Sequence, residues 1–453
     1  ANFTPVLAAG KKAVSIDAIG RGENLKLVML DTDFAITEYD LGTAKTISSA
    51  SRTFPKTNLS IVRTDADIAY DYEGGVWVNQ HRNPPAGKEA TIAHITKDGV
   101  DYHNVTAGLT HNACDNGGIA VSPDGKLLAV VGAGNYKLTI YSISKDASGK
   151  IALKSEYVIS TTGKTHTSLA WDYAGNLYAG NRNDETLKFY AIPYSGLVST
   201  PCASKYAFTL DANSASASEL NPFAYDLSST WNSTSKTLTV NYSLNANATD
   251  VDIVIMDGKM EVKRVACSGK TRGTHTEVIS AEGLSMNRKF TWKVDVKGTS
   301  KSVPTKVSTM YSLWGPYGLD IDKNPESEYF GRILVTEAYH GAKDLNGYIS
   351  TGQGAGLYVF NPAFGTDGKV CAGAENFASI LGKNVGFQPF RVRISEDGRI
   401  FVTSLDINGV AVWEVSKDLQ TWTPLLAGTN NSSDYRIYYN TSTFLAAPNA
   451  SID

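Results

Sequence analysis

His81, His166 and His340 stand in polar segments where Asn, Arg, Asp and Glu crowd beside them. Asn79-Gln-His81-Arg82-Asn, Asn181-Arg182-Asn-Asp184-Glu185 and Glu337-Ala-Tyr339-His340 each follow a short apolar run. Thr165-His166-Thr, Leu313-Trp314-Gly-Pro-Tyr317 and Phe387-Gln388-Pro each precede one. Two chemistries fit these residue types. A histidine beside a carboxylate can act as general base, and two carboxylates can cleave a glycoside. If the chain is an enzyme, His166, His340 and Glu337 are its candidates. Flat rings among amide and guanidinium donors also suit a sugar, which offers C–H faces and many hydroxyls. For that role the candidates are Asn79, His81, Arg82, His166, Asn181, Arg182, Trp314, Tyr317, Tyr339, His340 and Gln388. No spacing pairs an acid with a base, and each group stands in a different segment. The chain has no Gly-x-Ser-x-Gly elbow, no His-Glu-x-x-His and no phosphate-binding loop. Binding without catalysis is therefore the first reading.

What positions these segments is a repeated unit. Ile119-Ala-Val-Ser-Pro-Asp-Gly-Lys-Leu-Leu-Ala-Val-Val is strand, tight turn, strand. Ser168-Leu-Ala-Trp-Asp-Tyr-Ala-Gly-Asn-Leu-Tyr-Ala-Gly and Arg391-Val-Arg-Ile-Ser-Glu-Asp-Gly-Arg-Ile-Phe-Val-Thr repeat it. Further units start at Ala13, Ile68 and Gly318, and the first four recur at roughly 50 residues, a propeller-blade period. The fold class expected is all-β: a six- or seven-bladed β-propeller with NHL/WD-like repeats. In such a blade the B–C and D–A loops share one rim, which would gather the candidates above. The Asp-Gly turns between the first and second strands lie on the opposite rim. Leu7-Ala-Ala-Gly and Leu445-Ala-Ala-Pro echo each other. Either the C-terminal segment closes the ring with the first blade, or a seventh blade begins there and the gene product continues.

Between the fourth and fifth units the period breaks, and the rhythm changes. Leu238, Val240, Tyr242 and Leu244 alternate with polar residues, as do Val251, Ile253 and Ile255, and Phe290, Trp292, Val294 and Val296. Strict alternation marks strands with one buried face, as in a small two-sheet sandwich. Thr239-Val-Asn-Tyr-Ser-Leu-Asn, Val251-Asp-Ile-Val-Ile-Met-Asp-Gly and Phe290-Thr-Trp-Lys-Val-Asp-Val-Lys-Gly resemble the FlgD-like immunoglobulin domain of exported bacterial proteins. Ser285-Met-Asn-Arg stands where that family often has a Trp-Asp-Gly turn. The resemblance implies a spacer or docking module and brings no catalytic residue. The boundaries expected are 1–200 for the first part of the propeller, 201–303 for the sandwich and 304–453 for the second part.

Composition narrows the partners. The chain is 42% hydrophobic and 19% charged, with a formal net charge of -3 and its Lys and Arg scattered, so no nucleic-acid groove is indicated. No apolar run is long enough to span a membrane. Cys114, Cys202, Cys267 and Cys371 show no metal spacing; Cys202 and Cys267 either pair or remain buried thiols. Asp320-Ile-Asp-Lys-Asn lacks the Gly and Glu of a calcium loop. No metal and no cofactor are expected. Arg391 and Arg393 alternate into an inner strand and hint at an anionic group in the channel. The opening Ala1-Asn-Phe-Thr reads as a mature or trimmed product. The texture rich in Ser, Thr, Asn, Gly and Tyr, with Asn-x-Ser/Thr triplets at Asn58, Asn104, Asn232, Asn247 and Asn449, points to export.

The reading is an exported bacterial cell-surface protein that binds a glycan or another surface ligand through the propeller rim. Its sandwich serves as spacer or docking module. A hydrolase or lyase acting on a polysaccharide or lactone is one alternative. A subunit of an extracellular assembly, packed against neighbouring surface proteins or copies of itself, is another.

Overall fold

The computed structural model describes residues 13–31, 33–45, 47, 49–59, 66–79, 91–105, 118–132, 137–160, 166–181, 186–192, 197–201, 220–284, 288–299, 304–312, 316–337, 356–362, 389–404, 410–419 and 421–427. Apolar runs closed by a turn residue become strands. In Ser122-Pro-Asp-Gly125 the glycine takes a φ of +71°, and Gly175 and Gly398 take +75° and +78° at the same point of their units. These are left-handed values that a side chain would strain.

The first sheet is β1 (Ala13–Ile19), β2 (Lys26–Asp31), β3 (Ile36–Asp40) and β4 (Arg52–Thr53), antiparallel and in sequence order. The second is β5 (Ile68–Tyr70), β6 (Val76–Val78), β7 (Thr91–Thr96) and β8 (Gly99–Asn104). The third is β9 (Ile119–Val121), β10 (Leu127–Gly132), β11 (Lys137–Lys145) and β12 (Ile151–Ser160). The fourth begins with β13 (His166–Trp171), β14 (Asn176–Asn181) and β15 (Thr186–Ala191). There the chain leaves it.

The departing segment forms β16 (Leu197–Pro201), β17 (Ala224–Asn232), β18 (Thr237–Leu244), β19 (Asp250–Asp257), β20 (Met260–Ala266), β21 (Gly273–Ser280) and β22 (Thr291–Lys297). They make two sheets, β16-β22-β19-β20 and β17-β18-β21. The alternating residues Val240, Tyr242, Leu244, Val251, Ile253, Ile255, Trp292, Val294 and Val296 form one core between them. Cys267 is a free, buried thiol in that core, and burial pushes it up to about 11. Cys202 lies outside the described residues.

After these strands β23 (Thr305–Ser312) returns and pairs with β15 as the last strand of the fourth sheet. The insertion therefore enters inside the fourth sheet, where the sequence suggested a site after it. β16, from before the expected boundary at 201, pairs with β22 in the inserted sheets. The fifth sheet is β24 (Pro316–Ile321), β25 (Ile333–Glu337) and β26 (Gly356–Phe360). The sixth is β27 (Pro389–Ile394), β28 (Ile400–Ser404), β29 (Val410–Val415) and β30 (Trp422–Ala427).

The sheets follow one another around an axis. Each first strand packs against the next, β1 on β5, β5 on β9, β9 on β13, β13 on β24, β24 on β27, and β27 back on β1. The arrangement is all-β and propeller-like. Apolar clusters fill the gaps between neighbouring sheets. Val14, Val28, Ile68 and Val78 join the first to the second, and Trp77, Ile119 and Val130 the second to the third. Phe401, Val412 and Leu425 join the sixth to Ile16 and Leu27 of the first. Each such side chain contributes about 1.5–3 kcal/mol when fully buried, so the ring is held by its apolar seams. Between fifth and sixth sheets the backbones approach closely. A Cβ on Gly318 would meet Val392 N at 2.6 Å and Phe390 O at 2.7 Å.

The first and sixth sheets share no strand. Ile47 N donates to Leu425 O (3.1 Å), and the Arg399 guanidinium donates to Gly42 O (2.6 Å) and Ala44 O (2.8 Å) while holding Glu414. Residues 1–12 and 428–453, which carry the echoing ends, lie outside the described residues.

Candidate functional site

The turn after each first strand is fixed by a side chain that closes on its own backbone. Asp71 Oδ1 accepts from Glu73 N and Gly75 N, both at 2.8 Å. Asp172 Oδ1 accepts from Ala174 N and Asn176 N, also at 2.8 Å. Ser122 Oγ accepts from Leu127 N (2.9 Å), Ser395 Oγ from Arg399 N (3.0 Å) and Asp322 Oδ1 from Asn324 N (3.1 Å). Asp and Ser favour such local closures. The next residue is then aimed at the axis. These residues are Tyr72, Pro123, Tyr173, Lys323 and Glu396, and Arg21 takes the same place in the first sheet. Together with the ends of the first strands they line a cavity of about 320 Å³ at one mouth of the channel.

Charged groups close the inner wall. Arg393 Nε lies 3.3 Å from Asp17 Oδ1, and one of its terminal nitrogens lies 3.1 Å from Asp67 Oδ1. Arg391 reaches the same Asp67 oxygen at 3.7 Å. Each inner aspartate also accepts from the neighbouring blade. Tyr70 N donates to Asp17 (2.8 Å), and Ile394 N donates to Asp320 (2.7 Å). Lys323 Nζ donates to Asp320 at 2.6 Å. Asp320 is thus spent on Lys323 and backbone amides. The anions that answer Arg391 and Arg393 are Asp67 and Asp17, side chains of the protein itself.

Burial pushes the Asp17 carboxyl up to about 6; Arg393 and the Tyr70 amide pull it down, and Asp320 adds to the rise. Burial opposes the charge of Arg393, but Asp67, Asp17 and Asp320 outweigh it and hold the guanidinium above its ordinary value. Tyr72 is 44% exposed and has a φ of +64°, a left-handed value unfavourable for a ring-bearing residue. Burial, then the carboxylates of Asp17, Asp320, Glu396 and Asp124, push the ionisation of its hydroxyl up.

The inserted sheets brace one side of this mouth. Asn221 Nδ2 donates to Ala174 O (3.2 Å) and Ile192 O (2.9 Å), and Asn221 N donates to Asn176 Oδ1 (2.7 Å). Phe223 N donates to Asn245 Oδ1 at 2.7 Å. Phe330 stands edge-on to both Phe223 and Tyr173, with ring centres 5.4 and 5.3 Å away. Burial pushes Asp172 up to about 6 in spite of the four donors around it.

No protein-family model matches this chain, and no curated protein matches it. Among solved structures it is similar to virginiamycin B lyase of Staphylococcus aureus, at 10% identity and a TM-score of 0.36, over 90% of this chain and 82% of that one. A protein from Lactobacillus plantarum aligns at 14% identity and a TM-score of 0.28, over 78% and 82% of the two chains. A protein of unknown function from Bacteroides caccae aligns at 12% and 0.24, over 74% and 88%.

The cavity lies on the side of the Asp-Gly turns, the rim that the sequence reading set aside. Of the residues assigned to the other rim, Asn79 is 1% exposed, and its amide donates to Val131 O at 3.1 Å. Tyr317 is 2% exposed and packs on Phe390 with ring centres 4.6 Å apart. His166 and Asn181 are register partners at one end of β13 and β14, and Glu337 closes β25 opposite Pro316. His81, Arg82, Arg182, Trp314, Tyr339, His340 and Gln388 lie outside the described residues. Among the described residues no cluster of His, Cys, Asp or Glu could hold a metal ion. A sequence signal for the mouth existed: Tyr70-Asp-Tyr72 and Trp171-Asp-Tyr173 are both an aromatic residue, Asp and Tyr at the same point of two units.

Proposed function

We propose that this chain is a six-bladed β-propeller with an immunoglobulin-like sandwich inserted in its fourth blade, and that it binds a saccharide at the channel mouth without turning it over. The observation that carries the reading is the mouth itself. It is a concave site of ligand size, with Tyr72 and Tyr173 delivered by equivalent turns and carboxylate oxygens between them. Rings accept the C–H face of a sugar, and carboxylates accept its hydroxyls. Catalysis is the weaker fit because Asp17 and Asp320 already accept from backbone amides and cations. The sandwich acts as a rigidly docked module beside the mouth. An exported bacterial surface setting follows the texture of the sequence and is tested by fractionating cells that express the native gene.

A glycan array probed with the full chain, then with Tyr72→Ala and Tyr173→Ala, tests the reading. The expected result is binding that falls at least tenfold in both variants. Trp314→Ala is the control for the rim expected from the sequence, and loss confined to that variant moves the site to that residue. One observation favours a hydrolase or lyase acting on the same ligand, the Asp17 carboxyl near pH 6. Turnover by the parent chain that vanishes in Asp17→Asn would establish that reading instead.

A further inference from the structure

We propose that the saccharide held at this mouth carries an ammonium group, recognised by Glu396 and the ring of Tyr72. The proposal rests on the mouth being the binding site. Six charged side chains line it: Asp17, Arg21, Asp320, Lys323, Arg393 and Glu396. Every cation among them has an acid of its own. Arg393 is shared between Asp17 and Asp67, Lys323 lies on Asp320 at 2.6 Å, and Arg21 turns to Glu326 at 3.2 Å. Glu396 is the acid left over. Its Oε1 accepts only a backbone amide, Gly20 N at 3.2 Å, and no Lys or Arg of the described residues pairs with it.

Tyr72 supplies the second element. Its backbone holds an unfavourable left-handed conformation, and its side chain lines the same cavity as Glu396. The cavity thus joins an aromatic face to an unmatched carboxylate. A hydrated ammonium gains from both at once, from the ring quadrupole and from a charge-assisted hydrogen bond. A uronate or sulfated sugar gains neither and meets like charge. The mouth is wet, and salt screens charges beyond about 8 Å, so discrimination comes from contact distance and amounts to roughly tenfold. Neutral sugars fall between.

Calorimetry on the full chain with three trisaccharides of one linkage tests this: tri-glucosamine, tri-N-acetylglucosamine and tri-glucuronate. The amine is expected to bind about tenfold tighter than its acetylated form, and the uronate weakest. Glu396→Gln keeps the acceptor for Gly20 N, so it should bring the amine and its acetylated form to the same affinity. Equal affinities, a reversed order or a preference that survives Glu396→Gln overturns the proposal and leaves the binding site standing. Failure of all three to bind overturns both.

Discussion

Arg393 and Asp17 meet at 3.3 Å across the seam between the last sheet and the first, and the same guanidinium reaches Asp67 of the second sheet at 3.1 Å. One side chain thus ties three sheets together where no strand is shared. Its length and planar fork are what the position uses, since one guanidinium serves two carboxylates and the carbonyl of Val392.

Removing that guanidinium takes from Asp17 its cation and from Asp67 the nearer of its two. Arg393→Met should therefore lower stability by about 3–5 kcal/mol. Arg393→Lys should recover little, because an ammonium cannot span both acids. Urea unfolding of the two variants beside the parent checks this, and a loss under about 1 kcal/mol would show that the ring closes without the pair.

The acid range should show the opposite of ordinary acid denaturation at the buried aspartates Asp17 and Asp172. Asp17 titrates near 6 in the fold and near 3.8 when unfolded. Its contribution is fully present below the lower value and is lost as pH rises through the upper one. The difference of about 2 units corresponds to ~3 kcal/mol at most. Asp172 moves the same way, so Asp17→Asn should flatten only part of the slope between pH 4 and 6.5. Asp71 runs against them. Burial raises it, but the 2.6 Å contact with His94 and two backbone amides more than reverse that. Its contribution is lost as pH falls through its lowered value. Melts at half-unit pH steps, with Asp17→Asn and Asp71→Asn compared, separate the two signs.

The repeat was legible because each first strand and its turn are encoded locally. Ile119 to Val131 specifies two strands and a left-handed glycine with no help from elsewhere. The return of β23 was not legible: Thr305-Lys-Val-Ser-Thr-Met-Tyr-Ser is mostly polar, as an outermost strand can be, and its partner β15 lies beyond the whole insertion. The mouth was missed for a different reason. Tyr72, Tyr173 and Glu396 occupy turn positions, where sequence suggests solvent. Only the ring arrangement turns six such positions toward one axis. Likewise Arg393 pointed to an anion, but that anion stands 326 positions away in the chain.

The insertion should behave as part of the propeller. Asn221 makes its bonds to Ala174, Ile192 and Asn176 in a buried site, so Asn221→Ala strands several polar groups and should cost about 2–4 kcal/mol. Protection from hydrogen exchange should then fall in both β17 and the turn at Asp172–Asn176. Loss confined to β17 would mean that the two parts open independently.

Tyr72 sets stability against function. Its φ of +64° is one that glycine adopts freely, and the residue as a whole is 44% exposed, so only part of its surface is buried against the strain. Tyr72→Gly should leave the melting temperature unchanged or raise stability by up to about 1 kcal/mol, while saccharide binding at the mouth is lost. Tyr72→Phe keeps the ring and removes only the hydroxyl, so it should keep most of the binding. A Tyr72→Gly protein that melts well below the parent would show that the ring is a packing element of the channel. The same measurement with Tyr173→Ala gives the contrast, because Tyr173 is braced edge-on by Phe330 and has no left-handed backbone to relax. That variant should lose both stability and binding.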